Sequence, residues 1–330
     1  MKADWFQLEK NPKKGLLWVE WASIAYLVLT TIYILFAYVK IENPMMMLTG
    51  RLRALAVMAA LWLVYRMVPC KATILLRILG QMLLLAWWYP DTYDLNRILP
   101  NRDYIVAGWD QALFGCQPAL LFAKQWSSRV VSELLCMGYF SYYPMICLTI
   151  LWYFFGKNRE VERCAFIIIG AFFIYYVIFG LFPVVGPIFY YKAAGVDNIA
   201  KGVFPHLGDY FLTHTDALTL PGWPDGLFHR LVLDAQEAGE RPTAAFPSSH
   251  VGISTICMLL AWHYGRKTLL TIMAPFYVLL CAATVYIQAH YLVDVLGGWA
   301  TALVIYALLF AISGKMSNFA IDNHKRTRRK

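Results

Sequence analysis

Long apolar runs separated by polar connections constrain this chain more than any other feature of its sequence. They occupy residues 16–39, 54–68, 72–88, 133–155, 164–184, 251–264, 269–288 and 291–312. A helix needs about 20 apolar residues to cross the roughly 30 Å of hydrocarbon in a bilayer. Only 15% of the residues are charged, against about 25% in an average soluble domain. The sequence therefore predicts an all-α, polytopic membrane helical bundle, with eight spans as the working number.

Two of these runs are weaker than the others. The second and third are shorter than a full span, and Arg66, Arg77 and Gln81 interrupt them. Eight spans require the arginines to extend their charged ends toward the membrane surface, and six spans is the alternative. The first run is too long for a removed signal peptide, so we expect an uncleaved first span.

Lysine and arginine residues fall mainly on one side of the predicted bundle. With successive connections assigned to alternate sides, one side carries 18 of the 29 basic residues and the other carries 11, although its loops are longer. The positive-inside rule then places both termini in the cytoplasm. Four regions follow: N-terminal spans at 1–88, an extracytoplasmic interfacial segment at 89–131, a membrane core at 132–313 that includes an extracytoplasmic loop at 185–246, and a basic cytoplasmic tail at 314–330.

The basic tail and the net charge of +9 do not require a nucleic-acid partner. Cytoplasmic loops of a membrane protein are enriched in lysine and arginine, and such tails are attracted to anionic headgroups. The sequence contains no repeat and no nucleic-acid-binding module. We therefore predict no nucleic-acid binding.

The segment from Ala245 to His250 is the first candidate for chemistry. Pro247 favours the first turn of a helix, and the apolar run after His250 supplies the rest of that helix. Ser248 and Ser249 would then lie where unpaired N–H groups and the positive end of the helix dipole bind anions. The pattern predicts a phosphate site beside His250.

The second candidate is the pair His290 and Asp294, which would share one face of a helix because they are four residues apart. A carboxylate behind an imidazole fixes its tautomer and raises its basicity, as a nucleophile or general base requires. Each histidine alone is more simply explained as the end of an apolar helix at the interface. Both patterns fall on the same predicted side of the membrane, and this favours a phosphoryl-transfer centre.

Such chemistry needs a cation to stabilise the phosphate. Arg241 is the nearest candidate in sequence, and the others on the same face are Arg97, Arg102 and Lys192. Each is also explained as a loop charge at a headgroup surface. The long loop carries three further histidines without metal-ligand spacing, namely His206, His214 and His229.

The residues 246–252, FPSSHVG, and 290–298, HYLVDVLGG, resemble the second and third signature motifs of the type 2 phosphatidic acid phosphatase superfamily. The resemblance implies that His290 is the nucleophile that becomes phosphohistidine and that Asp294 orients it. It also implies that His250 is the general acid and base and that Ser248 is a phosphate ligand. Ser249 stands where these phosphatases have glycine.

Two further departures from the phosphatase pattern point to a particular branch. Ala283 and Thr284 replace a Ser-Arg pair, and the first signature motif is not found. The stretches 284–298, 182–191 and 109–121 are similar instead to inositol phosphorylceramide synthases.

The resemblance implies a lipid phosphotransferase that moves a phospho-head group between phospholipid and sphingolipid substrates. The enzyme that this resemblance implies needs neither a metal nor a cofactor. Ser248, Ser249 and Arg241 are the predicted phosphate ligands, and the two imidazoles are expected a phosphate's width apart at the extracytoplasmic surface. A lipid phosphate phosphatase, which uses water as the acceptor, is the alternative. Two further alternatives are a metal hydrolase that uses His250, His290 and Asp294 as ligands, and a transporter with ionisable groups inside its spans.

Overall fold

The structure is a computed structural model that describes residues 5–156, 160–239 and 241–327. Helices make up the regular secondary structure of these residues, and no strand occurs among them. The predicted all-α class is therefore confirmed.

The α-helices of the described residues are α1 (Trp18–Phe36), α2 (Pro44–Met67), α3 (Lys71–Asn96), α4 (Asp103–Phe114), α5 (Pro118–Gln125), α6 (Arg129–Phe140), α7 (Tyr142–Phe155), α8 (Val161–Leu181), α9 (Pro187–Ala194), α10 (Val196–Ala200), α11 (Leu227–Gly239), α12 (Ser249–His263), α13 (Lys267–Tyr286) and α14 (Leu292–Thr327). We call α1–α3 the N-terminal unit. We call the end of the bundle where α3 and α13 finish and α12 and α14 begin the histidine end.

Among the described residues, six helices are long and apolar enough to cross a membrane: α1, α2, α3, α8, α13 and the first part of α14. The pair α6 and α7, bent by 44° at a short break, passes the same test when taken together and brings the number to seven. The weak second and third runs belong to helices of 24 and 26 residues. The predicted run at 251–264 forms α12, whose 15 residues are fewer than the about 20 that a straight span needs.

The expectation that Arg77 reaches toward the membrane surface is wrong. Its side chain is fully buried, and its Nε donates to Oε1 of Glu20 at 2.7 Å. One turn along the same interface, Oγ of Ser23 donates to Oε1 of Gln81 at 2.6 Å. An unpaired charge inside the bundle would be costly, so α1 and α3 neutralise Arg77 between them.

Helix α8 lies at the centre of the bundle. It packs against α1 and α3 on one side and against α12 and α14 on the other. Every residue from 164 to 173 is buried, as expected for an apolar helix surrounded by other helices. This helix therefore joins the N-terminal unit to the helices that carry the histidines.

Helices α12 and α14 approach each other closely where α14 has a glycine. A Cβ atom at Gly298 would lie 2.7 Å from the carbonyl oxygen of Ser248, closer than real Cβ contacts allow. A Cβ at Gly252 would similarly overlap the hydroxyl of Tyr175 in α8. Glycines at these positions let α12 enter the gap between α8 and α14, which brings the start of α12 beside the start of α14.

The connection from Val185 to Ala245 is more ordered than the sequence suggested. It contains α9, α10, a 3₁₀ turn at Tyr210–Leu212 and α11. The preceding region also differs from expectation, because α3 continues to Asn96 and the predicted boundary at residue 88 falls inside this helix. At the other end of the chain, α14 extends to Thr327, and residues 328–330 of the predicted basic tail lie outside the described residues.

Candidate active site

His290 lies in a turn, not on a helix as the sequence predicted. Helix α13 ends at Tyr286 and α14 begins at Leu292. Gln288 has a φ of 62°, a left-handed conformation that non-glycine residues adopt in turns. The backbone N–H of His290 donates to the carbonyl of Thr284 at 3.0 Å. The turn therefore fixes the backbone of His290 against the last part of α13.

A main-chain carbonyl holds the imidazole of His290. Nδ1 of His290 lies 2.8 Å from the carbonyl oxygen of Ala245, whereas Oδ2 of Asp294 is 3.4 Å from the same nitrogen. A carbonyl oxygen only accepts hydrogen bonds, so Nδ1 carries the proton and Nε2 carries the lone pair. The structure thus brings Asp294 close to His290, as predicted, but gives the shortest contact to a carbonyl that the sequence analysis did not identify.

Asp294 contributes to the shape of the turn. Its Oδ2 accepts the backbone N–H of Tyr291 at 2.8 Å, and its own carbonyl accepts the N–H of Ser248 at 3.0 Å. Oδ1 is buried and has no hydrogen-bond partner among the described residues. A positive charge that develops on His290 would therefore meet a carboxylate with unused acceptor capacity.

His250 meets His290 at the start of α12. Nδ1 of His250 lies 3.5 Å from Nε2 of His290, and the ring centroids are 5.6 Å apart. The two sequence motifs therefore converge. The expected phosphate-sized gap between the rings is not present, because 3.5 Å between the two nitrogens leaves no room for a phosphoryl group. A phosphate that reaches Nε2 has to approach from the side or displace the ring of His250.

Two tyrosines flank the ring of His250. Tyr139 stacks on it at a centroid distance of 4.8 Å, and Tyr142 lies at 4.3 Å with a tilted ring. These residues come from the end of α6 and the start of α7, so the bend between the two helices faces the histidine. The sequence does not indicate these residues, because an aromatic residue in an apolar run carries no signal of such a contact.

Ser248 starts α12 as its N-cap residue. Its Oγ accepts the backbone N–H of Val251 at 3.3 Å, and its side chain is fully buried. The prediction that Pro247 occupies the first helical turn is therefore wrong by two residues, since the helix begins at Ser249. The proton of the Ser248 hydroxyl remains able to donate to an anion while its oxygen caps the helix. Ser249 is also close to fully buried.

Helix α4 holds the His290 turn with two aspartates. Oδ1 of Asp110 accepts the N–H of Val293 at 2.8 Å, and Oδ2 accepts that of Leu292 at 3.1 Å. Asp103 is fully buried, and its Oδ1 accepts the hydroxyl of Tyr291 at 2.8 Å. Asp110 thus caps α14 from another helix. The sequence showed both aspartates in a polar segment, and nothing in their spacing indicated these partners.

Asp103 also ties the turn to the long connection. Its Oδ2 accepts the N–H of Val185 at 2.7 Å, and its Oδ1 accepts that of Gly186 at 2.9 Å. Gly186 has a φ of 93°, and a Cβ there would lie 2.6 Å from the carbonyl oxygen of Ala289. Glycine lets this backbone pass directly beside the residue before His290.

Burial determines the protonation of the site. It lowers the pKa of His290 to about 4, although the carbonyl of Ala245 opposes the shift. Burial, together with the neighbouring His290, lowers the pKa of His250 to about 3. Burial also raises the pKa of Asp110 to about 6, against the effect of the two N–H groups it accepts. Both imidazoles are therefore neutral near pH 7, and the negative charge of a phosphate would raise the pKa of His250.

Arg241, the basic residue predicted to bind the phosphate, contacts an aromatic ring. The guanidinium of Arg241 is exposed and lies 5.9 Å from the ring of Tyr93. Arg97 pairs with Glu42 at 2.6 Å. In the part of the chain that the structure describes, no hydrogen bond or ion pair joins Arg241, Arg97, Arg102 or Lys192 to either histidine or to Asp294.

The three histidines of the long connection lie elsewhere. His214 stacks on Tyr210, His206 contacts Tyr104, and His229 contacts the carbonyl of Leu220 at 3.4 Å. Among the described residues, no three His, Cys, Asp or Glu side chains are arranged to share a metal ion.

Comparison with known families gives one match. The model of the PAP2 superfamily matches residues 105–308, which is more than half of the chain. The match begins in α4 and ends in α14, so it includes His250, His290 and Asp294 and leaves the N-terminal unit outside. No curated protein and no solved structure matches the chain.

Proposed function

The chain belongs to the PAP2 superfamily, and from this premise we propose that it is a membrane-embedded lipid phosphotransferase that works through a phosphohistidine. The family supports the coarser statement of a phosphatase- or phosphotransferase-type lipid enzyme. The similarity of residues 284–298, 182–191 and 109–121 to inositol phosphorylceramide synthases favours transfer of a phospho-head group from a phospholipid to a sphingolipid.

The observation that carries the proposal is the contact between the two histidines. The carbonyl of Ala245 holds the proton of His290 on Nδ1, so the lone pair of Nε2 faces His250 at 3.5 Å. A nucleophile needs a free lone pair in a fixed direction, with a proton donor within reach of the leaving group. The arrangement fixes the direction of the lone pair, and the ring of His250 has to move aside from Nε2 before a phosphoryl group can enter and His250 can protonate its leaving oxygen.

In the first step, Nε2 of His290 attacks phosphorus. A nitrogen–phosphorus bond forms, the bond from phosphorus to the lipid oxygen breaks, and His250 in its protonated form gives its proton to the leaving alkoxide. The positive charge on the imidazole ring of His290 is offset by Asp294, whose Oδ2 is 3.4 Å from Nδ1. Ser248, Ser249 and the first N–H groups of α12 are the proposed ligands of the phosphate oxygens.

In the second step, an acceptor hydroxyl attacks the phosphohistidine. Neutral His250 takes the hydroxyl proton as a general base, the new oxygen–phosphorus bond forms, and the bond to Nε2 breaks. A sphingolipid hydroxyl gives head-group transfer, and water gives a phosphatase. A covalent intermediate replaces one difficult displacement with two easier ones.

Exclusion of water favours the transferase. The ring of His250 contacts the rings of Tyr139 and Tyr142, and His290 is 3% exposed. A site covered in this way slows hydrolysis of a phosphohistidine, which only a transferase needs to avoid. Arg241 remains a proposed phosphate ligand, and it would have to leave the ring of Tyr93 to act as one.

We further propose that both termini are cytoplasmic and that the histidine end faces the extracytoplasmic side, following the distribution of lysine and arginine. Reporter fusions at the N-terminus and after residue 214 would test this orientation. The proposal requires the two reporters to lie on opposite sides of the membrane.

The function is tested by incubating the purified chain with unlabelled ceramide and with phosphatidylinositol or phosphatidic acid that is labelled on phosphorus, and by separating the products. A new labelled sphingolipid is the expected result. Release of free phosphate alone would establish the phosphatase alternative. Products that form equally with a His290→Ala variant would overturn the phosphohistidine route. The absence of any product would favour the alternative that the protein is a transporter.

A further inference from the structure

The segment Arg241–Phe246, which we call the strap, carries the carbonyl that orients His290. Ala244 in the strap has a φ of 69°, a left-handed conformation that is unfavourable for any residue with a Cβ. Such a residue persists only where surrounding contacts hold it. The contacts of the strap therefore determine where the carbonyl of Ala245 lies.

Three hydrogen bonds fix the strap on either side of Ala244. The N–H of Ala245 donates to the carbonyl of Val184 at 2.9 Å, and the carbonyl of Ala245 accepts from Nδ1 of His290 at 2.8 Å. On the other side, Nδ2 of Asn96 donates to the hydroxyl oxygen of Thr243. Asn96 and Thr243 are both buried, at 3% and 6% exposure, so water does not readily replace this bond.

The bond from Asn96 comes from outside the region that matches the family. Asn96 is the last residue of α3 in the N-terminal unit, whereas the family match begins at residue 105. Neighbouring residues of α3 reach the same connection, since the hydroxyl of Tyr93 donates to the carbonyl of Phe211 at 3.2 Å. The end of α3 is thus a fixed support for the strap.

We propose that Asn96 is a positioning residue for the phosphotransfer step. It acts through Thr243 and the carbonyl of Ala245, which keep His290 in the tautomer whose Nε2 lone pair faces His250. This inference rests on the proposed function for its kinetic consequence, but the tautomer of His290 can be measured without assuming any reaction. It assigns to the N-terminal unit a role in the reaction in addition to membrane insertion.

The test uses the full-length chain in lipid nanodiscs with ¹⁵N-labelled histidine, and a His290→Ala variant to assign the resonances of His290. The wild type is expected to show His290 with its proton on Nδ1. Asn96→Ala and Thr243→Val are each expected to show a mixture of tautomers and to form phosphoenzyme about five to ten times more slowly at saturating donor, the effect of losing about one hydrogen bond. The double variant is expected to lose no more than either single variant, because both remove the same bond.

Thr92→Ala is the matched control. Thr92 is buried one turn earlier on α3, and its hydroxyl donates to the carbonyl of Tyr89 in the same helix. This variant removes a buried hydroxyl without touching the strap, so both the tautomer and the labelling rate should match the wild type. Equal thermal unfolding of the control and the Asn96→Ala variant would separate positioning from loss of fold.

Two results would overturn the inference. One is an Asn96→Ala variant that keeps a single Nδ1-protonated His290 and the wild-type labelling rate. The other is a double variant whose losses are the product of the two single losses, which would show that the two residues act independently. If the wild type itself forms no phosphoenzyme, the proposed function fails, and the tautomer measurement alone still decides the role of Asn96.

Discussion

Buried charged groups occur in the N-terminal unit and at the histidine end, and the two regions neutralise them differently. In the N-terminal unit a charge meets an opposite charge on another helix, as in Arg77 with Glu20, where both side chains are fully buried. At the histidine end the partners are main-chain groups. Asp110 accepts two backbone N–H groups, and His290 donates to a backbone carbonyl.

The difference separates a structural role from a chemical one. A carboxylate that is matched by a guanidinium has little capacity to respond to a new charge, and it fixes how two helices pair. The imidazole of His290 has its shortest contact with a neutral carbonyl, and the carboxylate of Asp294 lies farther away at 3.4 Å, so a phosphate that arrives can still change the protonation of the site. The comparison predicts that variants in the two regions fail in different ways, the first in stability and the second in rate.

The largest effect is expected from His290→Ala. Removal of the nucleophile should lower the rate of phosphoenzyme formation and turnover by at least about a thousandfold, while thermal unfolding stays close to that of the wild type. Quenched labelling with phosphorus-labelled donor measures this rate. His214→Ala changes an exposed histidine outside the site and should label normally. Substantial labelling of the His290→Ala variant would contradict the assignment of the nucleophile.

The second effect falls on stability. Arg77→Met leaves the carboxylate of Glu20 buried without its partner, which should cost about 3–5 kcal/mol of unfolding free energy. Measured by unfolding in detergent, the double variant Arg77→Met with Glu20→Leu should recover most of this loss. Labelling per folded molecule should stay within about twofold of the wild type. Lost labelling in a folded variant would break the distinction between the two regions.

A third and smaller effect concerns Asp110→Asn. The side-chain oxygen of the asparagine can still accept one N–H of α14. Its NH₂ group faces the other N–H, and two donors cannot form a hydrogen bond. The free energy of unfolding should therefore fall by about 1–3 kcal/mol. Because α14 begins two residues after His290, we expect labelling to slow by about ten- to a hundredfold. Asp197→Asn, at an exposed position of α10, serves as the control. An unchanged labelling rate would show that the start of α14 does not need this cap.

The smallest effect is a pH profile. Burial lowers the pKa of His290 from an ordinary value of 6.5 to about 4, so Nε2 stays unprotonated well below neutral pH. In the Asp110→Asn variant, which cannot titrate at that position, and with a donor whose leaving group needs no proton from His250, labelling at pH 5.5 should be within about twofold of that at pH 7.5, whereas an imidazole of ordinary pKa would lose about tenfold. Below pH 6.5 the unfolded chain binds a proton that the folded chain does not, so stability should fall as the pH drops toward 4. A labelling midpoint near 6.5 would contradict the role of burial.

The sequence predicted the parts of the site that lie within short segments. The apolar runs gave the helical bundle, and the motifs around His250 and His290 gave two histidines that meet. The spacing of His290 and Asp294 also held, although a turn and not a helix brings them together. The helices and the pair of His290 and Asp294 involve residues that are close in sequence, so their spacing carries the information, whereas His250 and His290 are 40 residues apart and were expected to meet because their motifs fall on the same predicted side of the membrane.

The contacts between distant segments were not predictable in this way. Asp110 and Leu292 are 182 residues apart, and Glu20 and Arg77 are 57 apart. A carboxylate in a polar segment looks the same whether it caps a distant helix or faces solvent. The position of Arg241 near the ring of Tyr93 is a further example, because the proximity of Arg241 to Pro247 in sequence does not indicate where its guanidinium points.

The hydrogen-bond acceptor that orients His290 is a main-chain carbonyl, so substitution of side chains cannot test its role directly. Every amino acid at position 245 supplies the same carbonyl, so alanine scanning passes over it and evolution cannot adjust it by exchanging a side chain. An amide-to-ester replacement that weakens this one oxygen, introduced by chemical or semisynthetic means, would reveal what no library of codon changes contains.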